Sequence, residues 1–347
     1  MNQLPNLENK NVLLIGGAGF IGHNMALKLN ELGAKVTVLD GLEVNHFVAH
    51  YKQNLPAWKR EMYLGILKSR MDLLEEAGVD VVVQDARDYQ NLSKAIGDAK
   101  PDVVVMLAAV AHANRSNKDP FTTFDHSTRT LENALDASRG RVDHFIYFSS
   151  SMVYGDFEGG WVDEDRRCEP KGIYGALKFG GEKLVIAYNQ VFDLPYTIIR
   201  PSALYGERCV SGRVGQIFIE KALRGDKITV HGDGSDRLDF TYIDDLVQGV
   251  IRVIGSEGSK GQVFNLTYGD GRSIADLIGI IKDHFPEIEV EYQERDHLMP
   301  ERGTLSVEKA RNLIGYDPAF PIEEGFARYI KWYREFLGDP EAEPSLI

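Results

Sequence analysis

A tyrosine and a lysine four positions apart are the first candidates for proton-transfer chemistry. Tyr174 and Lys178 are separated by three residues. On a helix, positions i and i+4 share one face, so both side chains would point the same way. A tyrosine with its usual pKa of about 10 is a poor base at neutral pH, and a neighbouring ammonium lowers that pKa. The same spacing also occurs on ordinary helix surfaces, so the pair predicts catalysis only together with other motifs.

A run of three serines is the second candidate. Ser149, Ser150 and Ser151 directly follow the apolar segment His144–Phe148. Such a continuous apolar run is typical of a strand buried on both faces. Hydroxyl groups at the end of that strand can hydrogen-bond a substrate oxygen.

A glycine-rich loop near the start of the chain predicts a dinucleotide site. The apolar segment Asn11–Ile15 runs into the sequence Gly-Gly-Ala-Gly-Phe-Ile-Gly, which leads into a helical stretch. Strand, turn and helix follow in the required order. Glycines allow the tight turn, and a helix N-terminus attracts pyrophosphate. The predicted contacts are Gly16, Gly19, Phe20, Ile21 and Gly22.

Two acidic positions after later strands refine this site. Asp40 ends the second strand-like segment. A carboxylate there accepts hydrogen bonds from ribose hydroxyls and repels a 2′-phosphate, which favours NAD over NADP. Asp85 and Ala86 follow the next apolar segment, Asp80–Val83, where we expect contact with the adenine. For Asp85 a simple surface turn is the alternative interpretation.

The elements that must position these residues alternate along the first half of the chain. Strand-like segments at 11–15, 35–39, 80–83, 102–107 and 144–148 are separated by helix-like stretches such as 23–32 and 122–138. This alternation predicts a parallel sheet with helices on both faces. The long connection from Asn45 to Gly78 is expected to be a loop followed by a helix at 68–77.

The texture of the sequence changes after Pro201, where glycine-rich turns and short strands mix with helices. We therefore expect an α/β protein: a Rossmann-type, doubly wound parallel sheet with a smaller mixed α/β C-terminal substrate domain. Residues 1–200 are assigned to the NAD-binding domain, with 240–267 returning to it. Residues 201–347 are assigned mainly to the substrate domain.

Composition excludes several classes of protein. The 347 residues are 43% hydrophobic and 26% charged, which is ordinary for a packed globular chain. No apolar run approaches the ~20 residues of a membrane span, and the first ten residues lack a secretion signal. The net charge of −13 repels nucleic acid. Two cysteines, Cys168 and Cys209, without metal-like spacing favour a reducing, cytoplasmic location. We expect no metal, membrane or nucleic-acid partner.

Further motifs extend the pattern over nearly the whole chain. They are Leu107-Ala108-Ala109 with Ser116 and Pro120, Phe148–Gly155, Arg200-Pro201, Tyr205-Gly206, Gly232-Asp233-Gly234, Asp239-Phe240 and Asp244-Asp245. With the glycine loop and the tyrosine–lysine pair, this set resembles the extended short-chain dehydrogenase/reductases. Specifically, it resembles the NAD-dependent nucleotide-sugar epimerase/dehydratase family.

The resemblance implies a mechanism and additional contacts. Ser150, Tyr174 and Lys178 are the implied catalytic residues. Tyr174 removes the proton of a sugar hydroxyl while hydride moves to NAD, and hydride then returns to the other face of the keto sugar. NAD thus acts as a bound prosthetic group. The implied cofactor contacts also include Leu107, Ala108, Ala109, Tyr174 and Lys178.

The residues after Ser150 separate members of the family. The dehydratases carry Asp-Glu there, and the glucuronate decarboxylases generally carry a glutamate at the second position. Ser151 and Met152 cannot replace these acids. The 3,5-epimerases use an extra acid/base pair, often with a cysteine, which is absent here. The resemblance therefore favours an epimerase acting at C4 of an NDP-hexose or NDP-hexuronate. Segment 67–78 also resembles 4-epimerases of nucleotide-linked glucuronic acid.

The substrate contacts are the least determined. Arginine suits bidentate contact with phosphate, so Arg213, Arg237 and Arg302 are candidates, with solvated surface arginines as the alternative. Positions Ser116, Ser151 and Met152 are expected to contact the sugar nucleotide. Ala203 replaces an asparagine common in the family, and Leu238 replaces an arginine. His112 is a further candidate for substrate contact.

A homodimer is also implied. In the family, the helix that carries the tyrosine and the helix after the Pro120 position pair across a two-fold axis. Ile186 and Ala187 on one helix, with Leu131 and Leu135 on the other, are the apolar residues expected at that interface.

Two other functions stay open. An NDP-sugar 4-dehydrogenase or ketoreductase would use the same serine, tyrosine and lysine. A catalytically inactive NAD-binding regulatory protein is the alternative from another class, although such relatives typically lose the tyrosine or the lysine.

Overall fold

A seven-stranded parallel sheet forms the centre of the molecule. The structure is a computed structural model that describes residues 3–43, 55–108, 113–295 and 299–338. The strands in chain order are β1 (Asn11–Ile15), β2 (Lys35–Asp40), β3 (Asp80–Val83), β4 (Val103–Met106), β5 (His144–Phe148), β7 (Tyr196–Arg200) and β12 (Gln262–Asn265). Their spatial order is β3-β2-β1-β4-β5-β7-β12. The order reverses between β1 and β4, where open α/β sheets bind their ligands.

Both faces of this sheet are covered, which explains why its strands are apolar throughout. On β1, Leu14 packs into one buried cluster, whereas Leu13 and Ile15 pack into another. Alternate residues of a strand point to opposite faces. Helices therefore have to flank the sheet on both sides, and the predicted doubly wound α/β fold is confirmed.

Helices connect the strands. They are α1 (Phe20–Glu31), α2 (Ala57–Glu76), α3 (Tyr89–Ala99), α4 (Ala113–Lys118), α5 (Pro120–Phe124), α6 (Thr130–Ser138), α7 (Gly172–Phe192), α8 (Val214–Leu223), α9 (Ile243–Ile254), α10 (Ile274–His284), α11 (Glu308–Ile314) and α12 (Ile322–Leu337). Helix α2 begins eleven residues before the predicted 68–77 helix, directly after Pro56. A π-helical turn, Asp125–Arg129, interrupts the predicted helix at 122–138.

Short strands after β7 build small two-stranded ladders beside the main sheet. These strands are β8 (Leu204–Tyr205), β9 (Ile228–His231), β10 (Arg237–Asp239), β11 (Thr241–Tyr242), β13 (Gly271–Ser273) and β14 (Val290–Gln293). They pair as β8 with β11, β9 with β14 and β10 with β13. β12 lies at the edge of the main sheet, next to β7. The division of the chain at residue 200 stays a prediction.

A crossing between distant parts of the chain closes this region. Strand β6 (Trp161–Val162) pairs with β15 (Thr304–Leu305). The N–H of Phe157 donates to the carbonyl of Glu301 at 2.7 Å. At Gly303 an added Cβ would lie 2.1 Å from the carbonyl oxygen of Gly160, so only glycine permits this approach. The loop after β5 and the segment 299–305 are thereby held together.

In the described part of the chain, no helix combines the length and the apolar character that crossing a bilayer requires.

Candidate active site

The loop between β1 and α1 is shaped by its glycines. Gly16 has a φ of +83°, and an added Cβ there would lie 2.7 Å from the backbone nitrogen of Ala108. At Gly22 an added Cβ would lie 2.4 Å from the carbonyl oxygen of Gly17. The loop therefore packs against the residues after β4 and against its own helix only because side chains are missing.

The N-terminus of α1 is open to an anion. Gly19 is the N-cap residue, and no side chain caps the helix. An added Cβ at Gly19 would meet only the carbonyl oxygen of Gly16, at 3.4 Å. Backbone N–H groups and the helix dipole are thus available on this side. Such a cradle fits the pyrophosphate of a dinucleotide.

Asp40 lies beside this cradle and supports it. Its Oδ2 accepts a hydrogen bond from the N–H of Ala18 at 2.9 Å, and its Oδ1 accepts one from Leu42 at 2.7 Å. Burial raises the pKa of this carboxyl, and the two backbone donors oppose that rise. Asp40 thus bonds the glycine loop directly, a contact that the sequence motif does not predict.

The residues after β3 lie next to Asp40, since an added Cβ at Gly41 would lie 3.6 Å from the Cα of Asp85. Ala86 is buried, and the amide of Asn133 donates to its carbonyl oxygen at 3.1 Å. The Asp85 carboxylate receives Arg87 through Nη2 at 2.6 Å, and this ion pair lowers the pKa of Asp85. Arg87 also contacts Asp125 at 3.0 Å. The predicted adenine-side residues are therefore fixed by neighbours.

A cleft at the carboxyl end of the sheet brings the catalytic candidates together. Ser150, Tyr174 and Lys178 line it, with Ile21 and Leu107 from the cofactor side. The hydroxyls of Ser150 and Tyr174 both face this cleft. Burial raises the pKa of Tyr174, whereas the Ser150 hydroxyl and the charge of Arg213 lower it. If further positive charge nearby lowers the pKa of Tyr174, its phenolic oxygen can accept the proton of a bound hydroxyl.

Lys178 is a buried cation one helical turn after Tyr174. Its Nζ donates to the carbonyl oxygen of Phe148 at 2.6 Å and lies 5.2 Å from the centroid of the Tyr147 ring. Burial lowers the pKa of Lys178 to about 8, and the charge of Glu182 opposes this change. Its ammonium form is therefore only narrowly favoured at neutral pH.

A buried ion pair lies next to the candidate catalytic side chains. The Glu182 carboxylate accepts Arg200 Nε at 2.9 Å and Arg200 Nη2 at 2.7 Å. Ser149 Oγ donates to the same carboxylate at 2.5 Å. Arg200 Nη1 continues to the hydroxyl of Tyr154 at 2.9 Å, which donates to Asn265 Oδ1 at 2.8 Å. The network joins α7 to the ends of β5, β7 and β12.

Two arginines face the other side of the cleft. Arg213 is the N-cap residue of α8, and Arg302 lies on the segment before β15; both line the cleft. Burial lowers the pKa of Arg302 to about 10; the charge of Asp236 opposes this and that of Arg213 adds to it. Two neighbouring cations at a helix N-terminus form a site for an anion such as a pyrophosphate.

Some of the remaining predicted contact residues line the cleft, and others do not. Ser151 and Met152 line the cleft. Arg237 does not: its side chain is largely exposed and bonds the carbonyl oxygen of Gly271. Ser116 is buried on α4 and is not among the residues that line the cleft. Ala109 and His112 lie outside the described residues.

Several residues of the site were missed by the sequence analysis. Glu182 stands four positions after Lys178, a spacing that could have revealed it. Met299 lines the cleft, and no sequence signal indicates this. Outside the cleft lining, Arg295 bonds both oxygens of Asp236 at 3.0 Å through Nε, and its Nη2 is buried without a partner among the described residues.

Ala203 occupies an unusual backbone position in the cleft wall. Its φ is +33°, in the left-handed region, where asparagine and glycine are favoured over alanine. The fold therefore keeps the backbone bend that an asparagine would suit. Ala203 also lines the cleft, but it has no amide to offer a ligand.

Comparison with known proteins agrees with this geometry. The low-salt glycan biosynthesis protein Agl12 of Haloferax volcanii is 30% identical over 342 residues, covering 95% of this chain and 99% of that protein. The structure of UDP-glucose 4-epimerase from Thermotoga maritima, solved with UDP-glucose, has a TM-score of 0.82 at 25% identity, covering 94% of this chain and 100% of that one.

A second solved structure contains a cofactor as well. UDP-glucuronic acid 4-epimerase from Bacillus cereus, in complex with UDP-glucuronic acid and NAD, has a TM-score of 0.81 at 26% identity, covering 93% of this chain and 99% of that one. Residues 12–267 match the description NAD dependent epimerase/dehydratase family. The match confirms the predicted cofactor, NAD. The chain belongs to the NAD dependent epimerase/dehydratase family.

Proposed function

We propose that this chain is a nucleotide-sugar epimerase that inverts C4 of an NDP-hexose or NDP-hexuronate through a transient 4-keto sugar. One observation carries the proposal. Ser150, Tyr174 and Lys178 share one cleft with Arg213 and Arg302. A sugar hydroxyl at one end and a pyrophosphate at the other match these two groups of side chains.

NAD, when bound, supplies the hydride acceptor for the first half of the reaction and the hydride donor for the second. Tyr174 takes the proton of the C4 hydroxyl at its phenolic oxygen as the C4–H bond breaks and a C=O bond forms. Ser150 hydrogen-bonds the same sugar oxygen. The ammonium of Lys178 stabilises the phenolate form of Tyr174. In the second half Tyr174 returns the proton as the C4–H bond forms on the opposite face.

The residues beside Ser150 favour inversion over elimination. Removal of water or CO₂ needs a further acid or base near the sugar. Ser151 and Met152 occupy the adjoining cleft wall, and neither exchanges a proton at neutral pH. Next to Ser150, the described residues therefore include no acid or base that would lead the keto sugar to lose water or CO₂.

The substrate class follows from the charged side of the cleft. Arg213, Arg302 and the N-terminus of α8 would hold the pyrophosphate while the sugar rotates to present its other face. Relatives named for UDP-glucose and for UDP-glucuronic acid support a hexose or a hexuronate substrate. Asp40, Asp85 and Ala86 would contact the adenosine half of NAD.

A homodimer is part of the proposal, with a corrected interface. Leu131 and Leu135 are buried at 1% and 0% exposure within their own chain, so they cannot meet a second copy. Phe121 and Phe124 on α5, and Ile173 on α7, are instead exposed. Apolar side chains of this size on adjacent helices favour covering by a second copy of the same face. We place the protein in the cytoplasm, which its two unpaired cysteines support.

The deciding experiment incubates the NAD-loaded protein with a panel of nucleotide sugars in deuterated water. NMR follows stereochemistry, and absorbance follows reduced cofactor. We expect inversion at C4, no loss of water or CO₂, no net reduction of cofactor and no deuterium at C4. Net reduction with release of a keto sugar would identify a dehydrogenase. Deuterium at the inverted carbon would mean deprotonation beside a carbonyl and would overturn the mechanism.

A further inference from the structure

A buried carboxylate lies on the same helix as the catalytic candidates. Glu182 follows Lys178 by four positions on α7, as Lys178 follows Tyr174. The three side chains therefore share one side of the helix. The Glu182 side chain is only 2% exposed. A carboxylate so deeply buried is costly unless it is paired and fully hydrogen-bonded.

Several hydrogen bonds hold the Glu182 carboxylate in place. Arg200 binds both of its oxygens, and Arg200 is itself held by the Tyr154 hydroxyl at 2.9 Å. Ser149 adds a third hydrogen bond, at 2.5 Å. Charge-assisted bonds of this kind are about twice as strong as neutral ones. The carboxylate is thus a fixed point between α7 and β7.

Ser149 connects the Glu182 carboxylate to the candidate reacting groups. Ser149 directly precedes Ser150, which lines the cleft together with Tyr174. The backbone N–H of Ser149 also donates to the carbonyl of Ile199 at 2.8 Å. The strand end that presents Ser150 is therefore tied to the helix that presents Tyr174.

The charge of Glu182 acts on Lys178 as well. The groups near the Lys178 ammonium are Glu182 from its own helix, and the ring of Tyr147 and the Phe148 carbonyl from β5. Arg200 on β7 reaches this region through its pairing with Glu182. Glu182 is the neighbour whose charge favours the ammonium against burial.

We propose that Glu182 is a positioning residue for the reaction: its bond to Ser149 holds Ser150 in place opposite Tyr174, and its buried carboxylate lies one helical turn from Lys178 and balances that cation. The inference rests on the roles proposed above for Tyr174 and Lys178. It does not depend on which sugar is bound or on whether the keto sugar is released.

Replacing Glu182 with glutamine tests both effects. Glu182→Gln keeps the size and one oxygen acceptor, but it leaves Arg200 and Lys178 as two buried cations. An opposite charge nearby typically shifts a pKa by at least about one unit. We therefore expect the Lys178 titration midpoint to fall by about one pH unit from its value of about 8.

The chain offers a matched control. Glu220 is 3% exposed and pairs with Lys59 at 2.7 Å, on α8 and α2 respectively. Glu220→Gln therefore removes a comparable buried charge outside the catalytic network. NMR titration of protein made with isotope-labelled lysine, with Lys178→Met assigning the signal, reports the protonation of Lys178 without substrate. We expect the Lys178 midpoint of the control to match that of the wild type.

Kinetics provide the second readout. For Glu182→Gln we expect kcat to fall at least about tenfold at neutral pH while KM changes less than about twofold. As the pH is raised, the rate of the variant should begin to fall at a lower pH than that of the wild type, because Lys178 loses its proton at a lower pH. A folded Glu182→Gln protein with the wild-type Lys178 midpoint and kcat would overturn the proposal.

A second variant decides the matter if Glu182→Gln does not fold. Ser149→Ala keeps the ion pair and removes only the bond between strand and helix. A tenfold fall in kcat at unchanged KM supports the proposal, whereas an unchanged kcat overturns it. Failure of the 4-epimerase assignment would look different. The wild type would then convert no sugar by inversion, while the substrate-free Lys178 titration would still distinguish Glu182→Gln from Glu220→Gln.

Discussion

The Asp40 carboxylate accepts a hydrogen bond from the backbone N–H of Ala18 at 2.9 Å, so the residue expected to repel a 2′-phosphate also holds the glycine loop. For Asp40→Asn we expect NAD affinity to fall about tenfold, because a charge-assisted bond is lost and an N–H group can face Ala18. NADP binding should weaken less, since the repelling charge is gone. Calorimetry with both cofactors measures this. Equal losses for NAD and NADP would contradict the second role.

Tyr174→Phe should abolish nearly all turnover while NAD binding is retained. The phenylalanine ring still packs but cannot take up a proton. Loss of a positioned base typically lowers the rate by about 10²–10⁴. Tyr188→Phe is the matched control, because Tyr188 lies on the same helix and its hydroxyl bonds Glu132 at 3.4 Å, outside the cleft. Comparable activity losses in both variants would reject Tyr174 as the base.

Arg302→Met should raise KM for the nucleotide sugar by about 10–100-fold while changing kcat by less than about threefold. Its charge would bind pyrophosphate equally in ground and transition states. The variant should not be less stable, since burial disfavours the cation and Arg213 repels it. Arg237→Met is the control, because Arg237 is exposed and absent from the cleft lining. Initial rates over a range of substrate concentrations compare the two.

Asp239 should make stability depend on pH in an unusual direction. Burial raises its pKa to about 7, although Leu305, Gly269 and Thr267 donate hydrogen bonds to it. The unfolded chain releases this proton from about pH 4, the folded chain only near pH 7, so folding binds a proton in that window. The Asp239 contribution to stability is thus full below about pH 4 and is lost towards pH 7.

Denaturant unfolding of the wild type and Asp239→Asn at several pH values checks this expectation. The difference in unfolding free energy, wild type minus variant, should decrease from pH 4 to pH 7 by at most about 4 kcal/mol. Parallel pH curves for the two proteins would show that Asp239 is ionised throughout.

Phe121→Asp should convert the proposed dimer into a monomer. Phe121 is 85% exposed in the single chain, so the substitution costs the isolated fold little. A carboxylate buried between two copies would be strongly unfavourable. Tyr292→Asp serves as the control, since Tyr292 is 58% exposed on β14, distant in the chain from α5 and α7. Light scattering at micromolar concentration gives the masses. A monomeric wild type would remove the dimer from the proposal.

Local patterns predicted the cofactor half of this protein well. Glycines at 16, 19 and 22, and apolar runs such as β1 and β5, specify backbone shape and burial within a few residues of each other. The Ser150–Tyr174 pair could be predicted because the end of β5 and the start of α7 each carry a motif. Arg302 was found by residue type alone.

Other features depend on contacts between distant parts of the chain. Arg237 and Arg302 look alike in the sequence, yet the β10–β13 ladder turns Arg237 outward to Gly271. Leu131 and Leu135 have the spacing of an interface but are used by their own core. The early start of α2 was missed because residues 57–67 mix charged and apolar side chains and include Gly65, which weakens a helical pattern.

The pairing of β6 with β15, sealed by the Gly160–Gly303 contact, has a consequence for biosynthesis. A chain leaves the ribosome from its N-terminus, and segments fold as they emerge. Strands β1 to β5 can assemble the cofactor cradle early, because they pair with one another within the first 148 residues. Strand β6 instead pairs with residues that are synthesised about 140 positions later. Such distant pairing is intrinsically slow. A nascent molecule thus completes the half that binds NAD before it gains the wall that carries Arg302.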